Sequence, residues 1–148
     1  MAPPAAGHDA DETLLHASCV ALDGRAVLIT GASGSGKSAL ALGLLARGAG
    51  LVADDKTLLR RAGDDLIATC PKPIRGLIEA RGLGLLNAAY AGPAPVRLAV
   101  DLDRVETERL PPLRNVTHLG VTLPLVHKVE SSHFVDSVLI YLRSGRSF

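Results

Sequence analysis

Short apolar runs, each closed by glycine or by charge, set the rhythm of this chain. "AVLIT" (26–30) is a continuous apolar run of the length expected for a strand buried on both faces, and the "DGR" before it reads as a turn. "LLHASCVAL" (14–22) alternates enough to predict a single strand ahead of that turn. "SALALGLLARG" (38–48) is rich in Ala and Leu and ends at Gly48, which predicts a helix with a glycine stop. "GLVADD" (50–55) then reads as a second buried strand that ends in two carboxylates. Strand, glycine loop, helix and strand follow one another in that order.

Beyond residue 55 the pattern changes. "KTLLRR" and "DLIATC" flank "AGD", which predicts an antiparallel hairpin rather than another crossover helix. The stretch 71–87, "PKPIRGLIEARGLGLLN", carries prolines at its start and glycines at 76, 82 and 84, and reads as a loop. "VRLAVDLDR" (96–104) is a strand, its charges leading into an exposed segment, and "VTHLGVTLPLV" (116–126) holds one or two more. In "SSHFVDSVLIYLRSG" (131–145), apolar positions 135, 138, 139 and 142 fall at helical spacing, with serines placed as caps and Arg143 near the end. Residues 1–12 read as a loose Pro/Ala-rich and acidic tail, and 13–148 as one domain. The fold class is α/β, a mixed sheet with antiparallel additions.

Composition narrows the function classes. Over 148 residues, 47% hydrophobic and 21% charged is ordinary for a globular protein, and a formal charge of +1 steers the chain to neither nucleic acid nor acidic lipid. Two Tyr, two Phe and no Trp offer no platform for stacked bases. Cys19 and Cys70 match no metal-ligand spacing and read as buried thiols. No run approaches a membrane span, and the N-terminus has neither the basic nor the apolar region of a signal peptide, so a cytoplasmic setting is expected.

The chemistry begins at Gly31-x-x-x-x-Gly36-Lys37-Ser38, which satisfies G-x-x-x-x-G-K-[ST] between an apolar strand and a helix. Glycines let the backbone amides of Gly31, Ala32, Ser33, Gly34, Ser35 and Gly36 curl around phosphate oxygens, and the helix adds its positive N-terminal end. Lys37 can reach the outer phosphates and Ser38 can ligate Mg²⁺. Asp54 and Asp55 end the next strand at the same edge. One can hold the metal, directly or through water, while the other takes a proton from an incoming hydroxyl; as a plain polar turn the pair would do neither. Glu79 and Arg81, in "EARGLG", can complete a metal site and clamp phosphate, or form an ordinary surface ion pair. On residues alone, His16 is a half-buried strand histidine, Arg109 a solvated loop arginine, and His127, Lys128 and His133 show no metal spacing.

Taken together, these residues resemble the C-terminal catalytic domain of bacterial HPr kinase/phosphorylase, whose P-loop and helix are followed by "LVADD" and then by E-x-R-G-x-G-x-x-[DN]. Here those are residues 31–38, 51–55 and 79–87, and the resemblance covers roughly residues 14–143. It implies transfer of the terminal phosphate of ATP, with Mg²⁺, to a serine of HPr or a paralogous phosphocarrier of the sugar phosphotransferase system. By the same resemblance Asp55 is the general base, and general acid in reverse, with Asp54 beside it. Ser38 and Glu79 are metal positions, Lys37 is the P-loop lysine, and His16 and Arg109 match active-site positions.

Departures from the family pattern matter too. "GDSG" is "GASG" here and Ala39 stands where an acidic residue is usual; the resemblance implies the short alphaproteobacterial form, without the usual N-terminal domain. The later loop linked to dephosphorylation, near V-x-x-G-R-N, reads "TLPLVHKVESS" without that glycine or arginine, so the resemblance implies kinase activity more than phosphorolysis. It also implies a homo-oligomer, commonly a hexamer. The chain shows no 30-residue arginine-rich lid of the kind that covers small acceptors, which favours a protein substrate docked over the site, with the C-terminal helix as a surface for it. The alternatives are a small-metabolite P-loop kinase and an ATP-sensing module without transfer activity.

Overall fold

A computed structural model describes residues 11–147. Its spine is a mixed sheet of nine strands: β1 (Glu12–Leu15), β2 (Ser18–Leu22), β3 (Arg25–Thr30), β4 (Gly50–Ala53), β5 (Thr57–Ala62), β6 (Asp65–Thr69), β9 (Ala94–Val105), β10 (Arg114–His118) and β11 (Val121–Lys128). The order across the sheet is β1-β5-β6-β9-β3-β2-β4, with the β10–β11 hairpin joined to β9 through β11. β3 and β11 run parallel to β9, and the other strand-to-strand pairings of this sheet are antiparallel. A separate two-stranded ribbon is formed by β7 (Leu77–Ala80) and β8 (Gly84–Asn87).

Side-chain alternation places a core on each face of the sheet. Val20, Val27, Ile29, Leu98, Val100 and Leu102 face two helices, α1 (Lys37–Ala46) and α2 (Phe134–Ser144). Cys19, Ala21, Ala26, Leu28, Val96 and Ala99 face the opposite way, toward Leu59 and Leu66 of the β5–β6 hairpin and Leu123 of β11. Val96 and Leu98 lie on opposite faces although they are two residues apart. The register shift opposite Ala26 and Val27 is the cause, since one slipped residue turns the rest of a strand over. That bulge lets β9 pair with β6 at its start and with β3 and β11 further along.

α1 buries Lys37, Leu40, Ala41 and Leu44, one face at i, i+3, i+4 and i+7, and Gly48 beyond its end takes φ +108°. α2 crosses it closely. Val135 packs where Gly43 has no side chain, and Arg47 Nε donates to Asp136 Oδ1 at 2.6 Å. The predicted mixed α/β fold, with its β5–β6 hairpin, is what the structure shows.

Four expectations need correction. Residues 14–22 are two strands, not one, because the chain breaks at His16 and Ala17 as it passes from pairing with β5 to pairing with β3 and β4. The stretch 71–87 is a short 3-10 turn (Lys72–Ile74) and the β7–β8 ribbon rather than a loop. α2 begins after His133 with no side-chain cap, so its serines do not cap it. It buries Phe134 where Val135 was expected, Val135 being half-buried. The first ten residues of the expected tail lie outside the described residues, and Glu12 is already paired in β1.

Candidate active site

β3 ends at Thr30 and α1 starts at Lys37, so the glycine loop bridges a strand end and a helix N-terminus at one edge of the sheet. Gly31 and Gly36 hold φ of +148° and +106°. A side chain at Gly31 would meet Ser35 Oγ at 2.5 Å and Leu102 Cβ at 3.2 Å, so only glycine lets the loop pack this closely against β9. Lys37 is buried, its Nζ donating to the carbonyls of Gly31 at 2.8 Å and Ala32 at 3.1 Å. The Ala32 amide donates to the Asp103 carboxylate at 3.0 and 3.2 Å, which ties the loop to the end of β9.

β4 delivers the two aspartates to this edge, and they diverge. Asp54 is 9% exposed, and its carboxylate accepts three hydrogen bonds: from Ser38 Oγ at 2.7 Å and Ser18 Oγ at 2.9 Å on Oδ1, and from the Glu79 amide at 3.1 Å on Oδ2. Asp55 takes the left-handed conformation (φ +69°), is exposed, and pairs through Oδ1 with His16 Nε2. One carboxylate is thus committed to the floor of the site, while its neighbour faces outward.

Beside Asp55 opens a cavity of about 470 Å³ lined by loop residues Ser33, Gly34 and Gly36 with Lys37 and Ser38, and by Ala39, Leu42, Asp55, Glu79 and Arg81. Glu79 lies on β7 and Arg81 in the turn of the ribbon, which stands over α1 and walls the cavity. An apolar cavity of about 130 Å³ beneath α2, lined among others by Val126, Val129, Phe134 and Val138, offers no such convergence. Its carboxylate, Glu106, is already engaged by Arg114 at 3.0 Å.

The residues singled out from sequence therefore divide. The loop residues 31–38, Asp54, Asp55, Glu79 and Arg81 come together, and His16 joins them through Asp55. Arg109 does not: it is exposed on the segment 106–113 and is not among the residues lining the cavity. Among the described residues no group of three His, Cys, Asp or Glu side chains converges as a metal cage. The oxygens of Ser38, Asp54 and Glu79 nevertheless suit a hard cation that keeps several waters and shares phosphate oxygens, which is how Mg²⁺ is ordinarily held. Cys19 and Cys70 are buried, free thiols, and burial pushes both thiol pKa values up.

Two residues of the site escape sequence reasoning. Ser18 is a lone polar residue in an apolar strand run, and Asp103 is one charge in a charged strand end; each acquires its role from a partner far along the chain. The only local signal for Ser18 is its polarity at a strand position that is fully buried.

The family model for the HPr Serine kinase C-terminal domain matches residues 8–141 of this chain. Among curated relatives, the HPr kinase/phosphorylase of Acidovorax sp. (strain JS42) is 45% identical over 117 residues, covering 70% of this chain and 37% of that protein. The HPr kinase/phosphorylase of Bordetella avium (strain 197N) is 41% identical over 150 residues, covering 93% of this chain and 45% of that protein. The chain spans less than half the length of these two relatives. Among solved structures, the Hpr(Ser) kinase/phosphatase from Coxiella burnetii is similar with a TM-score of 0.74 at 27% identity, over 88% of this chain and 94% of that one.

Proposed function

Since the chain belongs to the HPr serine kinase C-terminal domain family, we propose that it transfers the terminal phosphate of ATP to a serine hydroxyl of the phosphocarrier HPr or a paralogue. The observation that carries this reading is the divergence of the adjacent carboxylates, Asp54 onto Ser38 and Asp55 toward the cavity and His16. The phosphate chain would meet the loop at Ser33, Gly34 and Gly36, since the Ala32 and Ser35 amides are already bonded to Asp103 and to the Ala32 carbonyl, with the positive end of α1 beneath it. Lys37 leaves the loop carbonyls and moves onto the outer phosphates. Ser38 and Glu79, with Asp54 behind Ser38, would hold Mg²⁺, which would neutralise charge on those phosphates.

The acceptor enters from the open side, where Asp55 stands. Its carboxylate takes the serine proton as the hydroxyl oxygen forms the new bond to phosphorus, and the bond from phosphorus to ADP breaks. His16, on the other side of Asp55, orients that carboxylate. Arg81, which lines the cavity from the turn of the β7–β8 ribbon, would meet the transferring phosphate. Beside it Leu83 and Leu85 are 79% and 68% exposed, which suits a docked protein better than a small metabolite. The setting proposed for this reaction is the cytoplasm, and the homo-oligomer implied by the resemblance is proposed with it.

The test is label transfer from ATP to HPr with Mg²⁺, beside Lys37→Ala and Asp55→Asn. Label on an HPr serine that both variants lose is the expected result. ATP binding without any transfer, or transfer to a sugar or nucleoside instead, overturns it. Release of pyrophosphate from phosphorylated HPr on adding inorganic phosphate tests the reverse reaction. Residues 129–133, between β11 and α2, supply no glycine or arginine for it.

A further inference from the structure

Ser18 is a polar side chain buried completely at the start of β2, in a strand whose other inward positions are apolar. It touches neither the cavity nor the loop. Its hydroxyl donates to Asp54 Oδ1 at 2.9 Å and accepts the backbone amide of Asp55 at 3.2 Å. One side chain thus joins the Asp54 carboxylate to the backbone of Asp55, the two neighbours that the reaction uses separately. A hydroxyl has one proton to give and two lone pairs to receive, so both contacts can be made at once.

Each contact has a mechanical consequence. The bond to Asp54 fixes the oxygen that also receives Ser38 Oγ, so the hydroxyl at the mouth of the helix is aimed by a carboxylate that Ser18 itself holds. The bond from the Asp55 amide pins a residue at φ +69°, a left-handed backbone that aspartate adopts more readily than most side chains, and so fixes which of its conformations the turn keeps. That turn of the backbone separates the two neighbours, sending one carboxylate to the floor and the other to His16.

Resting on the kinase reading above, we propose that Ser18 is a positioning residue for phosphoryl transfer: it clamps Asp54 behind Ser38 and holds Asp55 in the conformation that faces the acceptor. It acts through both aspartates and contacts neither nucleotide nor acceptor.

The test compares the full chain with Ser18→Ala, Ser18→Thr and Ser18→Cys. ATP affinity with and without Mg²⁺ is measured by calorimetry, beside the kinetics of HPr phosphorylation. Ser18→Ala is expected to lower kcat by about 10–100-fold, as loss of a supporting hydrogen bond behind a metal site does, with KM for ATP and HPr within about twofold. It is also expected to raise the Mg²⁺ concentration needed for half-maximal tightening of ATP by about tenfold. Ser18→Thr, which keeps the hydroxyl, is expected to restore most of both. An unchanged kcat, a loss carried by KM alone, or an unchanged Mg²⁺ dependence overturns the proposal.

Where Ser18→Ala fails to fold, Ser18→Cys, close in size but a weak donor, takes its place, and a folded Ser18→Cys at full turnover overturns it equally. A wild type that labels no HPr serine removes the acceptor reading alone, because the Mg²⁺ dependence of ATP binding still decides Ser18. A wild type that binds no ATP overturns both.

Discussion

The glycine-loop corner and the segment 106–113 hold their charged groups by opposite means. At the loop corner the contacts that hold the two carboxylates join distant parts of the chain: Ser38 to Asp54, Ser18 to Asp54, Glu79 to Asp54 and His16 to Asp55 span 16 to 39 positions. In the segment, Glu106 accepts from the amides of Thr107 and Glu108 and from Arg114, all within eight positions. The first arrangement exists because the sheet brings four strand ends together. The second is a short-range clamp around one carboxylate, anchored to β11 through the Glu106 amide on the Lys128 carbonyl. Geometry fixed by topology can be as fine as catalysis requires, whereas a local clamp only gives a loop its shape. Arg109, carried by that loop, accordingly stands in the open.

Four changes break or sharpen this contrast, in decreasing order of expected effect. Asp55→Asn should lower phosphate transfer to HPr by about 10²–10⁴-fold, the usual worth of a general base, with ATP affinity measured by calorimetry unchanged. Leu102→Ala opens a hole in β9 beneath the loop, and urea unfolding should register a loss of about 2–5 kcal/mol. Gly31→Ala forces a side chain onto Ser35 and Leu102 at φ +148°. A cost of about 1–3 kcal/mol should show in the same unfolding assay, with weaker ATP binding besides.

The smallest effect belongs to the other region. Hydrogen bonds from Arg114 hold the Glu106 carboxyl below its ordinary value of 4.5. A carboxyl depressed in the folded state contributes stability above its unfolded value, and that contribution disappears as pH falls through the folded one. The melting temperature of Glu106→Gln should therefore lie slightly below that of the wild type at pH 7, and the gap should close on acidification from 4.5 downward. A gap that persists at pH 2 would assign the clamp to shape rather than charge.

Legibility in the sequence follows the same divide. The strand–loop–helix unit can be read because its glycines, its apolar run and its helical period are local and agree with one another. The β5–β6 hairpin declares itself through "AGD" between two apolar runs. The β7–β8 ribbon hides because Gly82 and Gly84 look like breakers, whereas at φ +92° and +115° they make the tight turn that pairs Ala80 with Gly84. The break at His16 and Ala17 hides for a different reason: the hydrophobic alternation runs straight through it, and only a change of neighbouring strands marks it. Asp54 and Asp55 can be picked out as a pair, but their divergence depends on Ser18, 36 positions away from Asp54. Arg109 is singled out by family resemblance alone, and the exposed segment that carries it leaves it outside the cavity wall.

The bulged strand β9 has a consequence for the order in which the protein can be made. All the side chains that line the cavity or hold its carboxylates lie at or before Arg81, whereas β9 spans Ala94–Val105 and is the neighbour of β6, β3 and β11 together. A ribosome therefore delivers every residue of that cavity wall before the strand that seats it. Until residue 105 has left the exit tunnel, one edge of β3 and one edge of β6 carry unpaired backbone groups, and Asp103 has not yet caught the amide of Ala32. The emerging chain holds two open sheet edges apart for some forty residues of synthesis after Asp65 opens β6. It is in that interval, rather than in the finished fold, that it is most exposed to pairing with the wrong strand.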